Sequence, residues 1–446
     1  MKATRRWLAA ACAASMLLCS GCSLLENSGD LAEQLRPPRL TGQQETLQQA
    51  LDDYVTDDYV LTYPRSGDHR SAFLLQDMDG DGTDEAICFY RLSEGNTHVL
   101  LLRREGEGWK PQNDLQGSSV DIDWVAFGDM RGNGGSQLLV GWGIYNNDRD
   151  RQVILYDQRE EGLSSLFDST CAAAYFGDVM KSGRDTLLLY HIDDGNERVT
   201  ASLMELKDSG IAQVAVARLD GYIRSFGTPR LVPLTGELSG VFVDGYKDAN
   251  SITTELVYWD GERLSVPFYD STANANTVTA REALTSTLLT VMDINGDGRW
   301  EWPQNRRLVG YQTAETQNAG WMTTWMYYDP EIGQAQKAFD SLVNETDRYL
   351  LMLEPEWVGT TADGDRVTMN YETTTHLLEV LEVNNGVIGE VVLRIVPANQ
   401  EIGVSPGGET VAVSLSDTAA YTVWYRTDNT LGLNPERIRY MLTALP

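Results

Sequence analysis

An apolar run that empties into an acidic, glycine-rich turn recurs along this chain, and a recurrence of that kind limits the fold more than any single segment does. The copies are Phe73-Leu74-Leu75-Gln76-Asp77, Val125-Ala126-Phe127-Gly128-Asp129, Tyr175-Phe176-Gly177-Asp178 and Leu288-Leu289-Thr290-Val291-Met292-Asp293. A weaker copy, Leu231-Val232-Pro233-Leu234, runs into Thr235-Gly236. A second series follows each turn: a strand-like run, then a hairpin glycine. It reads Leu100–Arg103 to Gly108, Val153–Tyr156 to Gly162, Leu203–Leu206 to Gly210, Leu256–Trp259 to Gly261 and Trp325–Tyr328 to Gly333. Both series mark five units over residues 66–343, each with room for four short β-runs. Four-stranded units repeated radially are the signature of a β-propeller. The expected fold is therefore mostly β, a propeller of about five four-stranded blades. A β-sandwich with accidental regularity is the competing architecture.

The flanks read differently. In residues 41–65, Thr41 and Gln44 have capping-box spacing, Leu47, Leu51 and Val55 share a helical face, and Tyr59–Tyr63 alternates as a strand before Pro64. Residues 344–446 lose the repeat and read as a small α+β domain. Its strands are expected at 349–353, 367–371, 377–383, 390–396, 411–415 and 421–425. A final helix is signposted by Asn434 as N-cap, Pro435 at the first position, and Ile438, Met441 and Leu442 on one face.

Residues 1–21 carry Lys2, Arg5 and Arg6 and then an apolar run from Trp7 to Leu18, too short to span a bilayer. They read as a signal peptide. The ending Cys19-Ser20-Gly21-Cys22 resembles a bacterial lipobox, with Cys19 where that pattern prefers Leu. The resemblance implies acylation of Cys22, a membrane anchor and an extracytoplasmic location; residues 22–40 would be the tether. Losing three cations and no acids takes the net charge from −30 to −33. So acidic a chain repels phosphate backbones and anionic lipid, which argues against nucleic acid and direct surface binding to membrane, and it attracts cations. Cys88 lies in an apolar run and suits a buried thiol, with a disulfide to Cys171 as the alternative.

The sharpest constellation is Asp77-Met78-Asp79-Gly80-Asp81-Gly82-Thr83-Asp84-Glu85. Side-chain oxygens at positions 1, 3, 5 and 9, a carbonyl at 7 and glycine at 6 can wrap a hard cation. Asp293, Asn295, Asp297, Arg299 and Glu301 repeat the spacing of Asp77, Asp79, Asp81, Thr83 and Glu85, position for position. The second and third turns have lost these ligands. They place Arg131 and Met180 at position 3, with Lys181 beside the latter, and a cation there is expected to neutralise the turn's lone carboxylate.

With their Phe-Gly-Asp turns and DxDGDGxxE loops, residues 66–340 resemble the FG-GAP or VCBS-type repeats of integrin α-chains and bacterial surface proteins. That resemblance implies Ca2+ at the positions named, on a propeller that binds or scaffolds. The four histidines are scattered, and no nucleophile elbow, phosphate loop or dinucleotide fingerprint precedes a helix. The expected function is a non-enzymatic, calcium-stabilised surface lipoprotein that binds or scaffolds a protein or glycan. The alternative is a carbohydrate-active propeller enzyme with a carboxylate pair.

Overall fold

A computed structural model describes residues 42–249, 251–282, 289–313 and 320–445. The expected signal peptide, Cys22, the tether and the Thr41 cap lie outside the described residues. No helix among the described residues is long and apolar enough to cross a membrane.

The chain begins with helix α1, Gly42–Tyr54, whose Leu47 and Leu51 are buried. Four-stranded antiparallel sheets follow one another. The first is Phe73–Gln76, Glu85–Leu92, His98–Glu105 and Gly108–Gln116, with Tyr59–Leu61 paired beside the second of these. The second is Ile122–Gly128, Gln137–Ile144, Asn147–Arg159 and Gly162–Cys171. The third is Ala173–Gly177, Thr186–Asp193, Arg198–Lys207 and Gly210–Leu219. In the fourth the inner strand is split into Ser225–Phe226 and Arg230–Pro233, both paired to Ser239–Asp248; Ser251–Trp259 and Leu264–Ser265 complete its main order.

The strand after each turn is apolar at consecutive positions because both its faces are covered. Ile87 and Phe89 pack toward the second sheet, while Ala86, Cys88 and Tyr90 pack under α1. Leu138, Val140 and Trp142 join the first sheet, and Leu139 joins the third. Leu187 and Leu189 face back, Leu188 and Tyr190 face forward. Val241 and Val243 face the third sheet, whereas Phe242 packs on Trp302 of the fifth. Each fully buried side chain of this size contributes about 1.5–3 kcal/mol. Consecutive sheets thus stack face to face in chain order, a propeller-like arrangement.

The fifth unit departs from the pattern. Its expected inner strand, Leu288–Met292, is reduced among the described residues to a single bridge, Met292 to Glu301. Its sheet runs Glu301–Arg307, Trp321–Asp329, Gln334–Asn344, Tyr349–Leu353 and the C-terminal Leu442–Ala444. The fifth sheet therefore draws strands from both sides of the expected boundary at residue 344. One core then joins it to a sixth sheet of Val367–Glu372, Leu377–Asn384, Val387–Pro397, Ala420–Arg426 and Gly408–Ser414. Helix α2, Pro435–Met441, starts as expected: Asn434 Oδ1 accepts from the N–H groups of Glu436 and Arg437 at 3.1 and 3.0 Å, and Ile438 and Met441 are buried. Cys88 and Cys171 are buried free thiols, which removes the disulfide alternative.

One buried carboxyl carries a pH signature. Glu255, in the fourth sheet, accepts from Asn276 Nδ2 at 3.3 Å, next to the ion pair of Asp220 with Lys247. Burial first, and the Asp220 charge second, push it up to about 8. The folded carboxyl binds its proton more tightly than the unfolded one, so its stabilisation is full below the ordinary glutamate range and is lost as pH rises toward 8. Glu255→Gln keeps the acceptor and removes the titration. Its melting temperature should match the wild type near pH 5 and exceed it near pH 8; an unchanged pH profile would contradict this assignment.

Candidate metal centre and central cleft

Four of the five turns share one backbone. Position 4 has positive φ in each: Gly80 at 81°, Gly132 at 69°, Lys181 at 50° and Gly296 at 73°. So does position 6, which is glycine in all four: Gly82, Gly134, Gly183 and Gly298, with φ between 76° and 92°. The aspartate at position 1 holds this shape. Its Oδ2 accepts from the position-6 N–H at 2.8 Å in Asp77, 2.7 Å in Asp129 and Asp178, and 3.0 Å in Asp293. Neighbouring turns also lock together, since Ser136 donates its N–H to the Asp77 carbonyl and Asp185 to that of Asp129.

Position 9 opens the next strand and reaches back. Glu85 Oε2 accepts from Met78 N–H at 3.0 Å, and Glu301 Oε2 from Ile294 N–H at 3.2 Å. In the second turn, Gln137 Oε1 accepts from Met130 N–H at 2.8 Å. The turns are thus one device with different charges installed.

In the first turn Asp77, Asp79 and Glu85 bring carboxylate oxygens within 4.8 Å of one another. Asp81 and Thr83 are not part of that group: the Asp81 carboxylate accepts from Thr83 N–H at 2.7 Å. Arg103, from the strand paired to Glu85, forms ion pairs with Asp79 and, at 3.5 Å, with Glu85. Burial above all lifts the Glu85 carboxyl above its usual range, and the nearby Asp79 adds to this.

The fifth turn has Asn295 where the first has Asp79, its acids do not converge as a group of three among the described residues, and no such cation reaches them there. Asp293 Oδ1 and Glu301 Oε1 are buried and have no hydrogen-bond partner among the described residues. The corresponding Asp77 Oδ1 accepts from Gly80 N–H at 2.7 Å, and Glu85 Oε1 faces Arg103. Burial, followed by the charges of Asp297 and Asp293, pushes Glu301 up to about 7. Asn295 Oδ1 accepts from Asp297 N–H at 3.0 Å, and Arg299 turns its guanidinium over the Tyr327 ring, 4.7 Å from the centroid. Arg299 can therefore offer a cation only its carbonyl. Two orphaned carboxylate oxygens in an oxygen-rich turn fit a hard divalent ion.

The expected neutralisation of the other turns is different in kind. Arg131 does not pair with Asp129; its guanidinium reaches the buried Asp157 on the neighbouring strand. Lys181 donates to the Gly236 carbonyl of the fourth turn at 2.9 Å. The position-1 carboxylates are instead satisfied by backbone N–H groups.

A second feature sits where inner strands of successive sheets converge. A cleft of about 640 Å³ is lined by residues 65–68, 123–126, 148, 149, 151, 172–176 and 225–229. Of its three carboxylates, Asp123 is held by cations, whereas Asp68 and Asp148 form no ion pair among the described residues. Arg65 reaches Asp121 at 2.8 Å and Asp123 at 3.5 Å, Arg151 pairs with Asp123, and Arg149 with Asp150 and Asp194. Trp124 lines it, but its ring lies so close to Gly141 that a Cβ there would come within 2.5 Å. The carboxyls raised by burial, Glu85, Asp185, Glu255, Glu301 and Glu345, all lie outside this lining. No local motif marks these residues in the sequence, because four separate units contribute them.

No family model matches the sequence, and no curated protein matches it. Solved structures give loose overlaps. The chain is 11% identical to an exo-β-1,3-galactanase of Phanerochaete chrysosporium, over 80% of this chain and 83% of that one, with a TM-score of 0.29. A periplasmic gluconolactonase of Pseudomonas aeruginosa gives 11% identity, 74% and 87% coverage and a TM-score of 0.28. An exotype rhamnogalacturonan lyase gives 12%, 75% and 70%, and 0.31. Overlaps that loose establish neither a shared fold nor a shared chemistry, and the propeller-like architecture rests on the sheet order and stacking.

The nested turns generate a stability test. A Cβ on Gly80 would lie 3.0 Å from the Gly135 nitrogen, at a φ of 81° that side chains rarely adopt. Gly80→Ala should cost about 1–3 kcal/mol in chemical denaturation. A loss under half a kcal/mol would show that the turns are not packed this way.

Proposed function

We propose that this chain is a calcium-stabilised, propeller-type binding module, not an enzyme, displayed on the bacterial cell surface through a lipid on Cys22. The pair of unpartnered buried oxygens on Asp293 and Glu301 carries the calcium reading. Buried anionic oxygens with no cation are expensive, and a divalent ion with oxygen ligands offsets that expense. Asp293, Asn295, Asp297 and Glu301, with the Arg299 carbonyl, would hold the ion. Bound there, it supplies the positive charge that ties the turn to the strand beginning at Glu301.

The binding role is supported by the cleft. A general acid for glycoside cleavage needs a carboxyl with a raised pKa, and a hydrolytic pair needs two carboxyls free to act on the substrate. Here Asp123 is held between Arg65 and Arg151. The paired Arg65, Asp123 and Arg151, with Asp68 and Asp148 beside them, present both donors and acceptors to a polar protein or glycan ligand. The signal and lipobox residues support the anchoring, since acylation gives a chain this acidic a membrane affinity its surface lacks.

Calcium should raise the melting temperature, because an ion bound only by the folded state stabilises by about 2.7 kcal/mol at a hundredfold excess over Kd. Asp297→Ala should abolish most of that rise. A melting curve indifferent to calcium and to chelator would sink the metal assignment. For the anchor, Cys22→Ala should leave the protein uncleaved or released into the medium; processed protein that stays membrane-bound after a high-salt wash would contradict it.

A further inference from the structure

The residue paired across from position 9 differs in each unit, and it decides how the turn's charge is met. Strand register pairs Tyr327 with Glu301, and the pairs Ala86 with Leu102 and Leu138 with Tyr156, continued by one residue, bring Arg103 across from Glu85 and Asp157 across from Gln137. In the first unit the acids are in the turn and the guanidinium is on the facing strand. In the second the arrangement is inverted: Arg131 stands at position 3 and pairs with Asp157 on the facing strand. Both units thereby close an internal ion pair at the same place in the fold. In the fifth unit the facing residue is the uncharged Tyr327, and one oxygen each of Asp293 and Glu301 stays unpartnered among the described residues.

We infer that Arg103 is a built-in substitute for the metal, so that the first turn, despite its complete ligand spacing, takes no calcium, and the chain binds one ion rather than two. The inference rests on the reading of the fifth turn as a calcium site, and it deepens that reading by assigning the occupant of each turn. Arg103 contacts two of the three carboxylates that a cation would need, Asp79 and Glu85. Gln158 Nε2 donates to Asp79 from the second sheet at 3.3 Å, holding that carboxylate toward the same spot. A divalent ion entering there would have to expel a guanidinium from beside the buried Glu85, where a like charge is strongly disfavoured. Asp77 is likewise spent on the turn, with its two oxygens accepting from Gly80 and Gly82.

The test counts ions by calcium titration calorimetry on the full mature chain. Wild type should bind one calcium per chain, and Asp293→Asn should bind none. Arg103→Met removes the guanidinium and keeps the apolar stem; it should bind two, and Arg103→Met with Asp79→Ala should return to one. Two ions on the wild type, one of them lost with Asp79→Ala, would overturn the inference. So would a folded Arg103→Met protein that still binds a single ion. If Arg103→Met does not fold, Asp79→Ala in the wild-type background decides. The calcium-induced melting shift should survive that substitution intact, and a reduced shift would overturn the inference. A wild type that binds no ion contradicts the fifth-turn assignment instead; the role of Arg103 is then upheld by one ion on Arg103→Met and overturned by none.

Discussion

The carboxylate at the first position of each turn organises this molecule. In four units its Oδ2 accepts the N–H of a glycine five residues on, and the chain can then reverse between the inner strand and the buried strand beside it. That bond fixes where the next strand begins. It therefore fixes which of its side chains face the preceding sheet and which the following one. The stacking of Ile87, Leu138, Leu188 and Val241 into successive seams depends on that phase, because a one-residue slip in a strand exchanges its two faces.

Clustering acids at such a turn creates a charge problem that burial makes severe, and the units solve it separately. The second replaces the position-9 acid with Gln137 and inverts its ion pair. The third closes with Thr186 at position 9, whose hydroxyl donates to the Gly177 carbonyl. The first keeps its acids and brings up Arg103, while the fifth exchanges the position-3 acid for Asn295, keeps the others and brings up no cation among the described residues. Repetition of the backbone thus coexists with divergence in electrostatics, and only the latter separates a structural turn from a metal-holding one.

What was legible in the sequence follows from this division. The position-6 glycines, the hairpin glycines and the doubly covered apolar runs are local, so four of the five units could be read from spacing. The charge partners could not. Whether Arg131 turns to Asp129 or to Asp157 depends on a cross-strand register that no short window contains, and the same holds for Arg103 opposite Glu85. The cleft was invisible for a related reason, since Arg65, Asp123 and the pair Arg149 and Arg151 come from three separate segments of the chain. The last unit was misread at its edges because Tyr349–Leu353 and Leu442–Ala444, far apart in the chain, complete its sheet.

The central claim is that a calcium ion sits among the fifth turn's oxygens, and terbium luminescence addresses it at that position. Terbium occupies calcium sites, and Trp300 lies within the turn itself, placed to sensitise its emission. The account expects sensitised emission that calcium displaces, that Trp300→Phe weakens and that Asp293→Asn removes. Emission that survives Asp293→Asn, or that calcium cannot displace, would contradict it.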